Sequence, residues 1–219
     1  CVIGGGVIGV EFASLFAALG CKVTVVEMLD EIVPFMDREQ AVQLRRALRG
    51  VTFKLGCRVQ RIEGATTHYT SPKGAEESVE ADQVLMAVGR RPAISGWGAE
   101  AAGLDVSSRG VAVDERMRTN VPGLWAAGDV TGRSLLAHSA YRMADVAVAD
   151  ILASLDGGGP GAMRMRYDAV PWAVYSLPEA AGVGLTEQEA AARGLSIHKA
   201  SLPMRASGRF VAENGIAAL

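Results

Sequence analysis

"CVIGGGVIGVEFASLFAALGCKVTVVE", Cys1 to Glu27, decides the fold. A short apolar strand, Cys1-Val2-Ile3, runs into a glycine-rich loop. Ile8, Phe12, Leu15, Phe16 and Leu19 then recur at helical spacing, and Gly20 closes the helix. Val23 to Val26 is a continuous β-branched run, the pattern of a strand covered on both faces. Glu27 stands at its end. A lone G-x-G-x-x-G carries little information. Set between a strand and a helix, and followed by a second strand ending in an acid, it predicts a dinucleotide-binding βαβ unit.

Each part of the motif has a physical task. Gly4 permits the tight turn, Gly6 lets the backbone approach a pyrophosphate, and Gly9 allows close packing of helix on strand. The candidate cradle is the loop Gly4, Gly5, Gly6, Val7, Ile8 and Gly9, whose N–H groups lie at the positive end of a helix. A carboxylate at Glu27 can accept hydrogen bonds from both hydroxyls of an adenosine ribose and would repel a 2′-phosphate. Residues 28 to 33, "MLDEIV", hold no Arg or Lys to receive one, so NAD(H) is expected over NADP(H). Glu11, expected on the first turn of that helix, either complements the helix dipole or faces a nicotinamide; position alone leaves both open.

Further along, Asp37 with Gln40 resembles a capping box, opening a helix that carries Ala41, Leu44 and Leu48 and stops at Gly50. Val51 to Leu55 reads as the next parallel strand. Arg58 to Ile62, a turn at Ser71 to Gly74, and Val79 read as an antiparallel excursion, and Gln83 to Ala87 as another buried strand before Gly89. Residues 92–104 are irregular. Strands at Gly110 to Asp114 and Leu124 to Ala127 precede a long helix with Ala137, Tyr141, Ala144, Val148, Ile151 and Leu155 on one face. "GGGPG", Gly157 to Gly161, is a linker, and Tyr167 to Tyr175 opens a segment of different character. The closing "ENGIAAL" reads as the start of another element.

The chain has 219 residues, 49% of them hydrophobic, and a formal charge of -2. That suits one large or two small globular domains with a substantial core. The near-balanced charge points away from nucleic acid and membrane surfaces, and no apolar run is long enough to span a bilayer. Cys1, Cys21 and Cys57 lie far apart and form neither a C-x-x-C pair nor a metal cluster. They are expected as reduced thiols in or near the core, with no metal site, and they point to an intracellular, cytoplasmic location. The first strand is shorter than the roughly five residues usual for strands, and no Met precedes it. An internal piece of a longer polypeptide is expected.

"TNVPGLWAAGDV", Thr119 to Val130, is a second signature. Small residues end in Gly-Asp shortly before a helix. Asp129 is either a turn residue or an acceptor for sugar-like hydroxyls, and local physics leaves the two even. The combination decides more. "GGGVIGVEFASLFAALGCKVTVVE", "VLMAVGRRP", "TNVPGLWAAGDV", "LLAHSA" and "AVPWAVYSLPEAAGVGLTEQEA" follow in order over nearly the whole chain. Together they resemble the pyridine nucleotide-disulfide oxidoreductases, and most closely their dihydrolipoamide dehydrogenase branch.

That resemblance implies an α/β architecture: a Rossmann-like NAD domain at 1–90, the returning part of an FAD domain at 91–156, and the first part of an α+β interface domain at 162–219. It implies that Gly89 contacts NAD and that Val59 packs near its adenine. Asp129 would hold the ribityl chain of FAD, and Leu135, Leu136, Ala137 and His138 would pass beside the flavin. Glu11 matches a glutamate near the flavin–nicotinamide contact. His138 is expected as a lining residue. The implied activity is oxidation of protein-bound dihydrolipoyl groups, with FAD and NAD as cofactors. The implied partners are a second copy, in a homodimer, and lipoyl-bearing subunits of a 2-oxo acid dehydrogenase complex. The chain has no C-x-x-x-x-C and no H-P-T-[LM]-[ST]-E, which the family places before and after this region. It therefore holds no catalytic dithiol of its own. Ala93 in place of the usual Asn, and "YRMAD" in place of acidic residues, leave the substrate open. Soluble transhydrogenase and mercuric or glutathione reductases are the enzymatic rivals. A non-catalytic NAD-binding or dimerisation module is the rival of another class.

Overall fold

The computed structural model describes residues 1–214. The chain divides into two compact units: Cys1–Gly89 together with the residues from Pro171 on, and Arg90–Val170.

In the first unit the elements run β1 (Val2–Ile3), α1 (Val7–Ala18), β2 (Val23–Val26), α2 (Arg38–Ala47), β3 (Val51–Lys54), β4 (Arg58–Glu63), β5 (Thr66–Thr70), β6 (Glu76–Glu80) and β7 (Leu85–Met86). The main sheet is parallel in the order β3-β2-β1-β7, with Val2 opposite Val25 and Leu85. The antiparallel excursion is β4-β5-β6, with an irregular register between Val59 and Arg61. Val2, Ala13, Val23 and Val25 form one buried cluster. Each fully buried Val contributes roughly 1.5–3 kcal/mol.

The buried face of α1 corrects the expectation from spacing. Ile8, Phe12, Leu15 and Leu19 are exposed, while Gly9, Val10, Ala13 and Ser14 face inward. The helix is apolar nearly all round, so periodicity does not single out one face. The small-residue side wins because it lets the helix lie close to the sheet. The expected capping box at α2 also fails. Asp37 occupies the N-cap without capping, and its Oδ1 accepts the Glu187 N–H at 2.7 Å.

The later part of this unit holds β10 (Trp172–Val174) paired with β11 (Ala180–Gly182), α4 (Glu187–Ala192) and α5 (Gly208–Asn214). A complete capping box opens α4, from Thr186 and Glu189. Val174 is fully buried with Val10, Ile32 and Val33, and Trp172 meets Phe35 edge to face at 5.1 Å. The part of "ENGIAAL" beyond Asn214 lies outside the described residues.

The second unit holds the hairpin β8 (Val106–Ser107) and β9 (Gly110–Val111), then α3 (Ala137–Leu155). The strand expected at Leu124 to Ala127 is reduced to one bridge, Arg118 to Trp125. The α3 face is also corrected. Tyr141, Ala144, Val148 and Leu155 are exposed, and Ser139, Met143, Val146, Ala147 and Asp150 are buried. Met143 and Val146 pack with Met117 and Met165. Tyr167 and Val170, at the start of the expected interface segment, join that same cluster. Among the described residues, no helix is long and apolar enough to cross a membrane.

Candidate functional site

In the first unit the glycine loop, Glu27 and the end of β7 share the carboxyl edge of the parallel sheet. Gly4 takes φ +106°, and its N–H bonds Val26 O at 2.9 Å. A side chain there would overlap the Ala87 carbonyl oxygen. A Cβ at Gly9 would overlap Gly4 O, so α1 begins against the turn itself. Gly6 differs: a Cβ there would meet nothing within 4 Å. It is the N-cap of α1 and supplies no side-chain cap, leaving the first-turn N–H groups of Val7, Ile8 and Gly9 for another acceptor.

Glu27 is 8% exposed and turned onto this loop. Its Oε2 accepts the Gly5 N–H, and its Oε1 accepts the Leu29 N–H at 2.6 Å. Its backbone bonds Lys54 O and the Cys57 N–H, tying it to β3 and the start of β4. Val59, two residues on, packs with Val26, Cys57 and Tyr69. Gly89 is exposed at φ +112°, two residues past the Ala87 that abuts Gly4.

Glu11 lies in the second turn of α1 rather than the first, because the helix begins only at Val7, and its Oε1 accepts the Tyr175 N–H at 2.8 Å. One turn on, Ser14 Oγ accepts the Leu177 N–H at 2.9 Å. The sequence gives no hint of either contact, each spanning more than 160 residues.

Sequence spacing also misses Glu31. It is buried, and Arg45 lays Nε and Nη2 on its two oxygens at 2.7 and 3.0 Å. Burial alone would raise the Glu31 carboxyl, but Arg45 and the Ile32 N–H outweigh it and hold it below the ordinary range. Val33 sits fully buried at φ +39°, strained for a β-branched residue, with its N–H on Gly5 O at 2.8 Å.

In the second unit, Gly128 and Asp129 turn against the start of α3. A Cβ on Gly128 would touch Ala140 Cβ at 3.5 Å, and Ser134 Oγ donates to Ser139 Oγ at 2.8 Å. Asp129 is exposed, 3.6 Å from Arg90 Nη2. Leu136, Ala137 and His138 are exposed and Leu135 half-buried. Leu136, the N-cap of α3, offers no side-chain cap. The cysteines differ from expectation in one case: Cys57 is buried and Cys1 half-buried, but Cys21 is exposed.

Residues 1–144 match the family described as pyridine nucleotide-disulphide oxidoreductase, and residues 170–218 match its dimerisation domain. Dihydrolipoyl dehydrogenase 3 of Pseudomonas putida is 39% identical over 215 residues, covering 95% of this chain and 45% of the relative. A dihydrolipoyl dehydrogenase of Thermus scotoductus is 38% identical over 223 residues, covering 98% and 46%. The chain thus spans about half the length of the curated relatives it matches. Among solved structures, LpdA from Mycobacterium tuberculosis superposes with a TM-score of 0.81 at 31% identity, over 97% of this chain and 46% of that one. The HOCl-induced flavoprotein disulfide reductase RclA from Escherichia coli gives 0.76 at 33%, over 97% and 48%. Members of this family use FAD and NAD. A glycine cradle closed by Glu27 at one sheet edge, and a match over two-thirds of the chain, lead to one assignment: this chain belongs to the pyridine nucleotide-disulphide oxidoreductases.

Proposed function

We propose that this chain is the NAD-binding part, with portions of the FAD-binding and interface domains, of an NAD-dependent FAD disulfide oxidoreductase of the dihydrolipoamide dehydrogenase type. The observation that carries the reading is the Glu27 carboxylate turned onto the Gly5 N–H at the mouth of an uncapped helix. In this reading an adenosine ribose would stand beside that carboxylate, and a pyrophosphate would lie over Gly6, where a Cβ would meet nothing within 4 Å. When bound, NAD supplies the hydride acceptor and FAD the two-electron relay to it.

The residues divide the binding and positioning. Glu27 holds the ribose hydroxyls, and Val59 packs against the adenine. The loop Gly4 to Gly9 receives the pyrophosphate, with Gly89 closing the same edge. Glu11 stands toward the nicotinamide end. Asp129 orients the ribityl hydroxyls of FAD, and Leu135 to His138 line its ring. The domains are read as 1–90 for NAD, 91–156 for the returning FAD part and 162–219 for the interface, which in the whole protein makes a homodimer. The break between units after Gly89 supports the first boundary. The dithiol and the proton-moving pair of the whole enzyme are proposed to lie outside this chain. The substrate is proposed to be a protein-bound dihydrolipoyl group on a 2-oxo acid dehydrogenase complex. The likeness to RclA supports a second reading, a disulfide reductase with another acceptor.

Anaerobic titration of the full-length protein with NADH tests this. A long-wavelength charge-transfer band, followed by turnover with lipoamide, is expected. Flavin bleaching without that band would overturn the disulfide chemistry. The band without lipoamide turnover would select the second reading.

A further inference from the structure

The stretch after Glu27 carries no basic residue, yet the fold brings two to it. Arg38 Nη2 meets Asp30 Oδ2 at 2.7 Å, and Arg45 forks onto Glu31 at 2.7 and 3.0 Å. Both arginines lie on α2. Asp30 and Glu31 lie three and four residues past Glu27, in a loop pinned beside the ribose carboxylate. Leu29 donates its N–H to Glu27 Oε1, and Val33 donates its own to Gly5 O. A Cβ on Gly5 would sit 3.2 Å from Glu27 Cβ and 3.1 Å from Ile32 Cγ2, so Glu27 and Ile32 flank that glycine. Glu31 also accepts the Ile32 N–H at 3.0 Å.

Guanidinium is the side-chain group best suited to a phosphate, because its planar fork donates two parallel hydrogen bonds. A 2′-phosphate beside Glu27 would therefore have two arginines as potential receptors. We propose that Asp30 and Glu31 are specificity-determining residues: by holding Arg38 and Arg45 in ion pairs, they withdraw both guanidiniums from a 2′-phosphate, and so reinforce the rejection that Glu27 begins. The Asp30–Arg38 pair is open to solvent and screened, whereas Glu31 is sheltered, so Glu31 carries the larger share. It follows that removing Glu27 alone does not admit NADP+. The inference rests on the NAD reading above.

The test is calorimetric titration of NAD+ and NADP+ into the full-length protein. Glu27→Ser should weaken NAD+ and leave NADP+ weak. Adding Glu31→Gln should tighten NADP+ about tenfold, and adding Asp30→Asn instead about two- to threefold, as charge-assisted bonds to phosphate become possible. Arg45→Met in the first combination, and Arg38→Met in the second, should erase the gain. No gain in either combination would overturn the proposal. So would a gain that survives loss of the arginine, or one matched by Glu63→Gln, which removes a remote surface charge. If Glu31→Gln does not fold, the exposed Asp30→Asn decides. A wild-type protein that binds neither dinucleotide would overturn the NAD reading, and this inference with it; NAD+ binding without the predicted gains would sink this inference alone.

Discussion

Arg118 grips the wholly buried carboxylate of Asp150 with two prongs, Nε on Oδ2 at 2.5 Å and Nη2 on Oδ1 at 2.8 Å. The Trp125 indole N–H and the Gly161 N–H, both at 2.9 Å, donate to it as well, and Arg116 Nε lies 4.0 Å from Oδ1. One carboxylate thus ties α3 to the Arg118–Trp125 bridge, which leads to Asp129, and to the glycine-rich linker. Arg118 first, then Trp125 and Gly161, outweigh the cost of burial and hold the carboxyl down at about 2, against an ordinary 3.8. A depressed carboxyl stabilises the fold above its unfolded pKa and loses that contribution as pH falls through the folded one. Stability on the order of 2 kcal/mol should therefore disappear between about pH 4 and pH 2. Asp150→Asn should cost about 2–4 kcal/mol at pH 7 and flatten the pH dependence in that window, measured by urea unfolding.

Gly9 and Gly6 belong to one motif but should fail differently. Gly9→Ala drives a methyl into the Gly4 carbonyl and should destabilise the fold by about 1–3 kcal/mol or more. Gly6→Ala meets open space, so unfolding should shift by no more than about 1 kcal/mol. NAD+ affinity should nevertheless fall about tenfold or more, because in the proposed function the methyl would stand where the pyrophosphate approaches. Thermal unfolding and NAD+ titration, run side by side, separate the two.

Glu11 and Ser14 each hold one backbone amide of the segment after β10. Glu11→Ala should speed hydrogen exchange at Tyr175 about tenfold, and Ser14→Ala should do the same at Leu177. Unchanged protection at both amides would mean that the segment is held by its apolar contacts alone.

The thiols should be distinguishable by reagent. Cys21 is exposed and should react first with a disulfide probe at pH 8. Cys57 is buried with its Sγ donating to Leu55 O at 3.3 Å, and burial, then Glu77, pushes its pKa up. It should react only on unfolding.

The local signals were readable in the sequence. The glycine loop, the β-branched run of β2 and the acid after it are contiguous, and the fold assembles them at one sheet edge. The buried faces of α1 and α3 were not readable, because both helices carry apolar residues on more than one side. Closeness to the sheet chose Ala13 over Leu15 in α1, and Met143 was buried rather than Tyr141 in α3. Glu31 with Arg45 and Asp150 with Arg118 lie 14 and 32 residues apart, beyond any helical or strand period. Asp150 left one trace, as an acid three and four residues past Ala147 and Val146, in line with what proved to be the buried face.

The stitches that fasten the segment after Pro171 to the nucleotide fold also set an order of events as the chain emerges. Asp37 with Glu187, Met36 with Gln188 and Glu11 with Tyr175 each close a loop of 150 residues or more. The contacts that β1, α1 and β2 make with one another close within about two dozen residues. Long loops carry the larger closure entropy, and early segments leave the ribosome first. The glycine loop is therefore expected to form ahead of the segment after Pro171, and the surface that receives that segment, which includes Trp172's partner Phe35, stays uncovered in the nascent chain until then.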